Sequence, residues 1–241
     1  MSAESVLREL KSHANSRKAI ELQRFFKTGK GEYAEGDVFL GIVVPDTRKV
    51  ARVYESLSLS ELNKLMASPF HEARFCGLVI LTNRFKKAKT AAETKSYYTF
   101  YIKALKKGQI NNWDLIDVSA PTIGQFLFTE KGALATLGTM ANSKDLWVRR
   151  AAILFTFASL RSGDTKPTIE ISKALLKDEH DLMHKAVGWA LREVGKRNPT
   201  QLRDFLEQYG KRMSRTTLRY AIEKFSAKER KSWLEKTRNT N

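Results

Sequence analysis

Apolar residues recur along most of the chain at spacings of three and four positions. One such segment holds Leu202, Phe205 and Leu206, and another begins with Leu175 and Leu176. Residues at these spacings share one face of an α-helix, and no segment shows convincing apolar–polar alternation of the kind found in strands. The pattern predicts an all-α protein of about a dozen helices joined by short loops.

Helix start and stop signals recur between these segments. A serine or threonine followed three residues later by glutamate is a capping box, which satisfies free backbone N–H groups at a helix start. The predicted starts are Ser58, Thr90, Ser226 and Asn198-Pro199, and the predicted stops are Gly108, Gly163 and Gly210. Residues 27–44 contain four glycines and form the least regular stretch, so we predict a long loop there.

The helical segments resemble one another. Those starting at residues 68, 144 and 179 align as SPFHEARFCGLVIL, KDLWVRRAAILFTF and EHDLMHKAVGWALR, and MSRTTLRYAIEKF from residue 213 fits more loosely. One position of the alignment is basic in all four segments, at Arg74, Arg150, Lys185 and Arg219. The steps between these residues are 76, 35 and 34 positions, and the double first step places another repeat near Trp113.

A period of roughly 35–40 residues with one helix pair per unit is typical of HEAT-like repeat proteins. We therefore expect a single HEAT-like repeat domain over residues 1–241. Its fold would be a right-handed-type helical solenoid with a concave basic face. An irregular helical bundle is the alternative, because helical sequences align with one another readily.

The chain is strongly basic. Lys and Arg total 43 against 26 Asp and Glu, which gives a net charge of +17 and favours a polyanionic partner. In a stack of repeats, the four residues of the basic alignment position would form a row that follows a phosphate backbone. The alternative for each residue is a solvated charge paired to an acid of the neighbouring repeat. Four in register, together with the net charge, favour binding to DNA.

Several other classes of protein are disfavoured. The longest apolar stretches, residues 75–81 and 151–160, are well short of the ~20 residues that span a bilayer, and the first ten residues hold no signal-peptide core. Cys76 is the only cysteine, which excludes an internal disulfide and a thiol cluster. His180 and His184 lack the adjacent glutamate and the third ligand of a HExxH zinc site. We expect a soluble, cytoplasmic, nucleoid-associated monomer that needs no metal or cofactor.

One segment combines a tryptophan with two cations. Lys185, Trp189 and Arg192 lie at i, i+4 and i+7, on one face of a predicted helix. A tryptophan flanked by two cations is unusual on a core-facing helix, so this face is predicted to bind the ligand. Trp147 and Trp233 are assigned instead to core packing.

The segment NNWDLID carries a second tryptophan and two carboxylates. Trp113 and Asp117 are four residues apart and share a face, whereas Asp114 points elsewhere in the first turn, where it favours the helix dipole. On a basic concave face Asp117 would repel phosphates. It therefore either performs a task or forms a salt bridge with a basic neighbour, and the residues alone weigh these two interpretations equally.

These segments together resemble the bacterial DNA alkylation repair enzymes built from HEAT-like repeats, the AlkD-type alkylpurine DNA glycosylases. The resemblance runs from residue 39 to residue 225. Its motifs are FLGI at 39–42 followed by Pro45, WDLID at 113–117, LWVRRAAILF at 146–155, HKAVGWALRE at 184–193 and SRTTLRYAIEKF at 214–225. It implies the same helical solenoid. The sequence departs from the family in residues 27–37, which form a longer segment, and in the first ~35 residues, which carry no family motif.

The resemblance also implies roles for individual residues. In this family two tryptophans and an aspartate form a cleft against the DNA backbone. By resemblance, Trp113 and Trp189 are these tryptophans, Asp117 is the aspartate, and Arg150 and Arg192 contact the backbone. The family acts on N3- and N7-alkylpurines without drawing the lesion into a deep base pocket.

This chemistry suits the residue types. Alkylation at N3 or N7 makes the purine cationic and weakens its N-glycosidic bond, so the departing base needs no general acid. A carboxylate such as Asp117 can stabilise the oxocarbenium-like sugar and orient the attacking water. Indole faces add cation–π stabilisation of ~0.5–2 kcal/mol each. We therefore predict a base-excision DNA glycosylase acting on duplex DNA. The alternatives are a non-catalytic binder of damaged or branched DNA, and a HEAT-type scaffold for an acidic protein or RNA.

Overall fold

The computed structural model describes residues 1–238, so the last three residues of the predicted domain lie outside the described part. Residues 1–238 form fifteen α-helices and two short 3-10 helices, and the one β-type contact described among them is an isolated bridge between Val38 and Phe70. The predicted all-α class is confirmed. The chain divides into two compact units, Met1–Ile123 and Gly124–Asn241, and the single-domain assignment stays a prediction.

The first unit contains seven α-helices. They are α1 (Ala3–Ser12), α2 (Ser16–Phe25), α3 (Val44–Val53), α4 (Leu59–Met66), α5 (His71–Lys87), α6 (Ala91–Lys106) and α7 (Trp113–Ile123). Helix α5 is central: it packs on α3, α4 and α7 and is buried on nearly every side, as expected for a helix with an apolar run. The loop predicted for residues 27–44 is confirmed, apart from its last residue, which begins α3.

The second unit begins with a 3-10 helix (Gly124–Thr129) and continues with α8 (Ala133–Ala141), α9 (Leu146–Phe155), α10 (Phe157–Arg161), α11 (Lys166–Ala174), α12 (Asp181–Arg197) and α13 (Pro199–Tyr209). A second 3-10 helix (Gly210–Arg212), α14 (Arg215–Ala221) and α15 (Ala227–Lys236) complete it. Helix α12 is central and packs on α9, α11, α13 and α14. None of the described helices in either unit is long and apolar enough to cross a membrane.

The repeated segments fold as equivalent helices. The segments starting near residues 68, 113, 144, 179 and 213 become α5, α7, α9, α12 and α14, each the second helix of a pair. Within each unit these second helices pack on one another, α5 on α7, and α12 on both α9 and α14. The predicted helix pairs are therefore confirmed, and their assignment to the HEAT-like class stays a prediction.

The capping signals act as predicted. Thr90 forms a complete capping box with Glu93, and Ser58, Ser226 and Asn198 each accept a hydrogen bond from the backbone N–H three residues on. Gly108 and Gly163 follow α6 and α10 with φ of 69° and 86°, in the left-handed region that favours glycine. Gly210 also ends its helix, at the start of the second 3-10 helix and with a negative φ.

Helices α12 and α14 approach each other closely at Gly188. A Cβ atom there would lie 2.5 Å from the Cβ of Tyr220 and 2.7 Å from the carbonyl oxygen of Thr217. We expect Gly188→Ala to lower the free energy of unfolding by about 1–3 kcal/mol, because the two backbones must separate. Gly138→Ala is the matched control, since nothing lies within 4 Å of its Cβ position in α8. It should be neutral or stabilising by up to about 1 kcal/mol in the same thermal unfolding measurement, and equal losses in both variants would contradict this account.

Candidate nucleic-acid interface

Trp113 and Asp117 lie together on the partly exposed face of α7. The side chain of Asn112 accepts a hydrogen bond from the Trp113 backbone N–H at 2.8 Å, which fixes the start of the helix. Leu115 and Ile116 are fully buried on the other side of α7. The two residues are i, i+4 neighbours as the sequence predicts, so an aromatic surface and a carboxylate are available side by side.

The N-terminal segment holds the indole of Trp113. Phe26 stacks on Trp113 with ring centroids 5.2 Å apart and an interplanar angle of 17°, and Phe25 meets the same ring edge-on at 6.0 Å. Phe26 also stacks on Phe39, at 5.0 Å. Phe25 is 63% exposed although it is a large apolar residue. The first 35 residues, in which the sequence alone revealed no motif, thus supply direct neighbours of a predicted site residue.

Asp117 has a buried tyrosine as its neighbour. Tyr101 of α6 is fully buried, and its hydroxyl lies 3.3 Å from the hydroxyl of Ser119 on α7. Burial, and in smaller part the charge of Asp117, raise the pKa of Tyr101. The Asp117 carboxylate therefore lies near the Tyr101 side chain. Its predicted catalytic role stays a prediction.

Asp114 belongs to a buried network rather than acting only on the helix dipole. Its Oδ2 lies 2.8 Å from His71 Nε2, and the opposite ring nitrogen of His71 lies 3.0 Å from Asp37 Oδ2. The ring of His71 stacks on Phe39 at 4.4 Å. Asp37 also accepts hydrogen bonds from the side chains of Asn111 and Asn112 at 3.3 and 3.5 Å. The network joins the 27–44 loop, α5 and the start of α7, and so fixes the position of Trp113.

His71 is an imidazolium between two carboxylates. Burial alone would lower the pKa of His71, but Asp114 and Asp37 raise it from 6.5 to about 9. Asp37, although buried, keeps a lowered pKa because His71 and Arg74 stabilise its charge. His71 and Asp37 are therefore both charged at neutral pH.

This network makes stability pH-dependent in a defined direction. A raised histidine pKa contributes stability that is complete below about pH 6.5 and is lost as the pH rises through about 9. We expect a loss on the order of 3 kcal/mol across that window. Thermal unfolding of the wild type and His71→Gln at several pH values checks it. The variant should be less stable at pH 7 and should lack this decline, and a wild type that is equally stable at pH 6.5 and pH 9 would rule out the charged form.

Arg74 requires a correction. The sequence places it on an open basic row, but it is only 6% exposed and its Nη2 lies 2.5 Å from Asp37 Oδ1. Its Nη1 donates to the backbone carbonyl of Ser68 at 3.1 Å. Arg74 is therefore not part of an open basic row, because a loop residue distant in sequence covers and neutralises it. Its DNA-binding role stays a prediction.

The FLGI motif has a structural explanation. The buried carboxylate of Glu72 accepts hydrogen bonds from the backbone N–H groups of Leu40, Gly41 and Ile42, at 2.9, 2.8 and 3.2 Å. Gly41 has φ of 82°, and a Cβ atom there would lie 2.1 Å from the carbonyl oxygen of Asn15. These residues anchor the loop that carries Asp37.

In the second unit, Arg150 lies at the junction of α9 and α12. Its side chain is 4% exposed, and its Nη1 donates to the carbonyl oxygen of Leu182 at 2.6 Å. The guanidinium is therefore held in place rather than free in solvent. Its predicted contact with the DNA backbone stays a prediction.

Helix α12 presents the predicted cation–tryptophan face. Trp189 is partly exposed and meets Phe157 edge-on, with centroids 4.8 Å apart. Lys185 is paired to Asp181 at 2.6 Å within the same helix, and Arg192 is paired to Glu223. Both cations are thus paired to acids, Lys185 within its own helix and Arg192 with a residue that follows α14, while Trp189 stays partly exposed.

Arg219 differs from the other members of the basic alignment position. It is exposed on α14 and makes no ion pair with any residue in the described part of the chain. The four equivalent positions therefore do not share one environment: two are buried, one is partly exposed and one is open. The DNA-binding assignment of Lys185, Arg192 and Arg219 stays a prediction.

The remaining candidates have structural roles. His180 accepts a hydrogen bond from Leu182 N–H as the N-cap of α12, and His184 Nε2 donates to the carbonyl oxygen of Asp178. Trp147 and Trp233 are each 8% exposed, which confirms their assignment to core packing.

The residues that the sequence missed are Phe26, Asp37 and His71. Only weak signals marked two of them: an aspartate two residues before the FLGI motif and a histidine at the start of an apolar helix. These residues and the partly exposed face of α7 define a helical-repeat protein with a surface that carries aromatic rings and a carboxylate. The charged network around His71 holds that surface in place.

The comparisons identify the family. The model of the DNA alkylation repair enzyme family matches residues 6–225, so the chain belongs to that family. A solved structure described as a predicted DNA alkylation repair enzyme from Enterococcus faecalis is similar with a TM-score of 0.68 and 15% identity, over 89% of this chain and 98% of that chain. At that identity the likeness concerns the fold. No curated protein matches the chain. Membership supports an enzymatic role in DNA repair, with DNA as the partner.

Proposed function

We propose that this protein is a DNA glycosylase that excises cationic N3- and N7-alkylpurines from duplex DNA. The observation that carries the proposal is the placement of Trp113 and Asp117 on one partly exposed face of α7, in a family of DNA alkylation repair enzymes. An aromatic ring and a carboxylate side by side suit a sugar that becomes positively charged in the transition state.

In the proposed reaction the C1′–N bond of the lesion breaks, and its electron pair leaves with the purine. The base departs neutral because it was cationic when bound, so no group has to protonate it. Water then bonds to C1′ and loses a proton to Asp117 or to solvent, which leaves an abasic site. Asp117 stabilises the oxocarbenium-like sugar by charge complementarity, and the indole of Trp113 adds cation–π stabilisation.

The other predicted residues have supporting roles in this proposal. Trp189 offers a second partly exposed indole to the deoxyribose-phosphate backbone, and phosphates are contacted by Arg150, Lys185, Arg192 and Arg219. Such contacts position DNA without reading its sequence. The stacking of Phe26 and the Asp37–His71–Asp114 network support the proposal, because they hold the start of α7 rigidly.

Substrate choice should follow the charge of the lesion. Duplexes with a single N7-methylguanine or N3-methyladenine should release free base, whereas duplexes with uracil or 8-oxoguanine should release none above background. The reason is that no general acid is assigned to protonate a neutral leaving group. Chromatographic detection of the released base checks this. Efficient release of uracil would mean that an acid or a base pocket serves the reaction, and the charge-based mechanism would be rejected.

A further inference from the structure

A cleft of about 280 Å³ lies beside the C-terminal half of α12, bordered by α13 and the turn after α14. Four cations line it: Arg192, Lys196, Arg203 and Lys224. Arg192 lies three residues beyond Trp189 and Lys196 four beyond Arg192, so the cleft continues the exposed face of α12. Several cations beside the partly exposed indole of Trp189 suit the binding of a nucleic-acid phosphate.

Two of these cations converge on one carboxylate. Glu223 lies in the turn that follows α14, where its Oε2 accepts a hydrogen bond from Arg192 Nη1 and its Oε1 lies 3.0 Å from Lys224 Nζ. The hydrogen bond from Lys224 lowers the pKa of Glu223, so the group is a carboxylate at neutral pH. Two donors from different elements thus bind the two oxygens of one anion, as they would bind two oxygens of a phosphate.

The other two cations of the cleft are engaged differently. Lys196 pairs with Glu193 of its own helix at 2.6 Å, and Arg203 pairs with Glu229 at 2.8 Å. By contrast, Arg192 is 18% exposed and its buried Nε has no hydrogen-bond partner in the described residues, so Glu223 satisfies the guanidinium only in part. Glu223 itself is 45% exposed on a turn, and an exposed ion pair of this kind is weak and is screened by salt.

We propose that Arg192 and Lys224 form a binding site for one phosphate of the DNA backbone, and that Glu223 occupies this site when DNA is absent. The inference rests on the proposed function for DNA as the ligand, and it adds Lys224 as a contact and Glu223 as a competing anion. When DNA binds, the phosphate replaces the Glu223 carboxylate, which turns out into solvent. The negative charge of Glu223 then weakens DNA binding at this position and keeps Arg192 in place without ligand.

A gain of affinity tests this site without relying on loss of function. We expect Glu223→Gln to strengthen binding of an undamaged duplex by about 3- to 10-fold, the scale of one removed repulsion at the surface. Glu207→Gln is the matched control: Glu207 pairs with Lys236, is 51% exposed, and its removal changes the net charge equally. Fluorescence anisotropy titration should show less than a twofold change for this control, and a misfolded variant could not produce the gain.

Lys224→Ala is a second, independent test of the phosphate site. It should lower affinity and reduce the slope of log K against log salt by about one, because one phosphate contact is lost. Three results would each reject the proposed site. They are DNA binding by Glu223→Gln that is no tighter than that of Glu207→Gln, binding by Glu223→Gln that is weaker than that of the wild type, and an unchanged salt slope in Lys224→Ala. If the wild type excises the base but Glu223→Gln shows no gain in DNA affinity, only the phosphate-site inference is rejected. If Glu223→Gln gains DNA affinity but the wild type excises no base, the glycosylase proposal is rejected and the phosphate site is supported. If the protein does not bind DNA, both proposals are rejected.

Discussion

Duplex DNA binding by this protein should weaken about 10³- to 10⁵-fold when the salt concentration rises from 50 to 200 mM. The physical reason is counterion release: each cation that neutralises a phosphate frees condensed counterions, and six to ten contacts give an effect of this size. The net charge of +17 motivates the expectation. Anisotropy titrations of one duplex at several salt concentrations measure it.

The structure refines which cations contribute. Arg74 is buried in an ion pair with Asp37, whereas Arg219 is exposed and lacks an ion pair in the described residues. We therefore expect Arg219→Ala to lower the salt slope by about one unit and Arg74→Ala to act mainly on stability. An affinity that stays nearly constant between 50 and 200 mM salt would reject the nucleic-acid interpretation.

Asp117→Asn should reduce excision of N7-methylguanine by roughly 10²- to 10³-fold, the scale of one lost electrostatic stabiliser. The substitution keeps size and polarity but removes the charge that complements the oxocarbenium-like sugar. Binding of DNA should stay equal or become tighter, because a carboxylate near phosphates is repulsive in the ground state. Weaker catalysis with equal or better binding is what transition-state complementarity requires. Single-turnover kinetics and anisotropy, measured on the same preparation, separate the two effects.

The structure changes the control for this experiment. Asp114 accepts a hydrogen bond from the buried His71. Asp114→Asn should therefore lower thermal stability, so it is not an inert control. Asp204→Asn is the better control, because Asp204 is exposed on α13 and the chemical change is the same. If Asp117 is only a salt-bridge partner, Asp117→Asn should lower melting temperature, binding and excision together.

The sequence predicted those features that depend on short-range patterns. Capping at Thr90 and Asn198, the stops at Gly108 and Gly163, and the shared face of Trp113 and Asp117 depend on residues within one or two helical turns. The helix pairs were also predictable, because the same apolar and basic pattern recurs and equivalent helices must bury equivalent faces.

Contacts between distant segments were not predictable. Arg74, Arg150, Lys185 and Arg219 align, but alignment defines only a helix face and not what covers it. Asp37 comes from an irregular loop 37 residues before Arg74, and its carboxylate converts a predicted ligand contact into a buried ion pair.

The same limit applies around Trp113. Phe26 is 87 residues away, in a segment where the sequence alone revealed no motif although the family model matches from residue 6, and it stacks directly on the indole. His71 likewise could not be linked to Asp37 and Asp114, because no short motif relates the three residues. The chemistry-bearing residues were visible in the sequence, while the residues that hold them in place required the fold.

Release of free base is the most direct measurement of the central claim. The protein, in excess over a duplex that carries one N7-methylguanine, should produce free N7-methylguanine and an abasic site in equal amounts, faster than spontaneous depurination of the same duplex. Asp204→Asn should match the wild type, and Asp117→Asn should fall close to the spontaneous rate. Tight binding of the alkylated duplex with base release at only the spontaneous rate would contradict the account and show a protein that binds damaged DNA without excising the base.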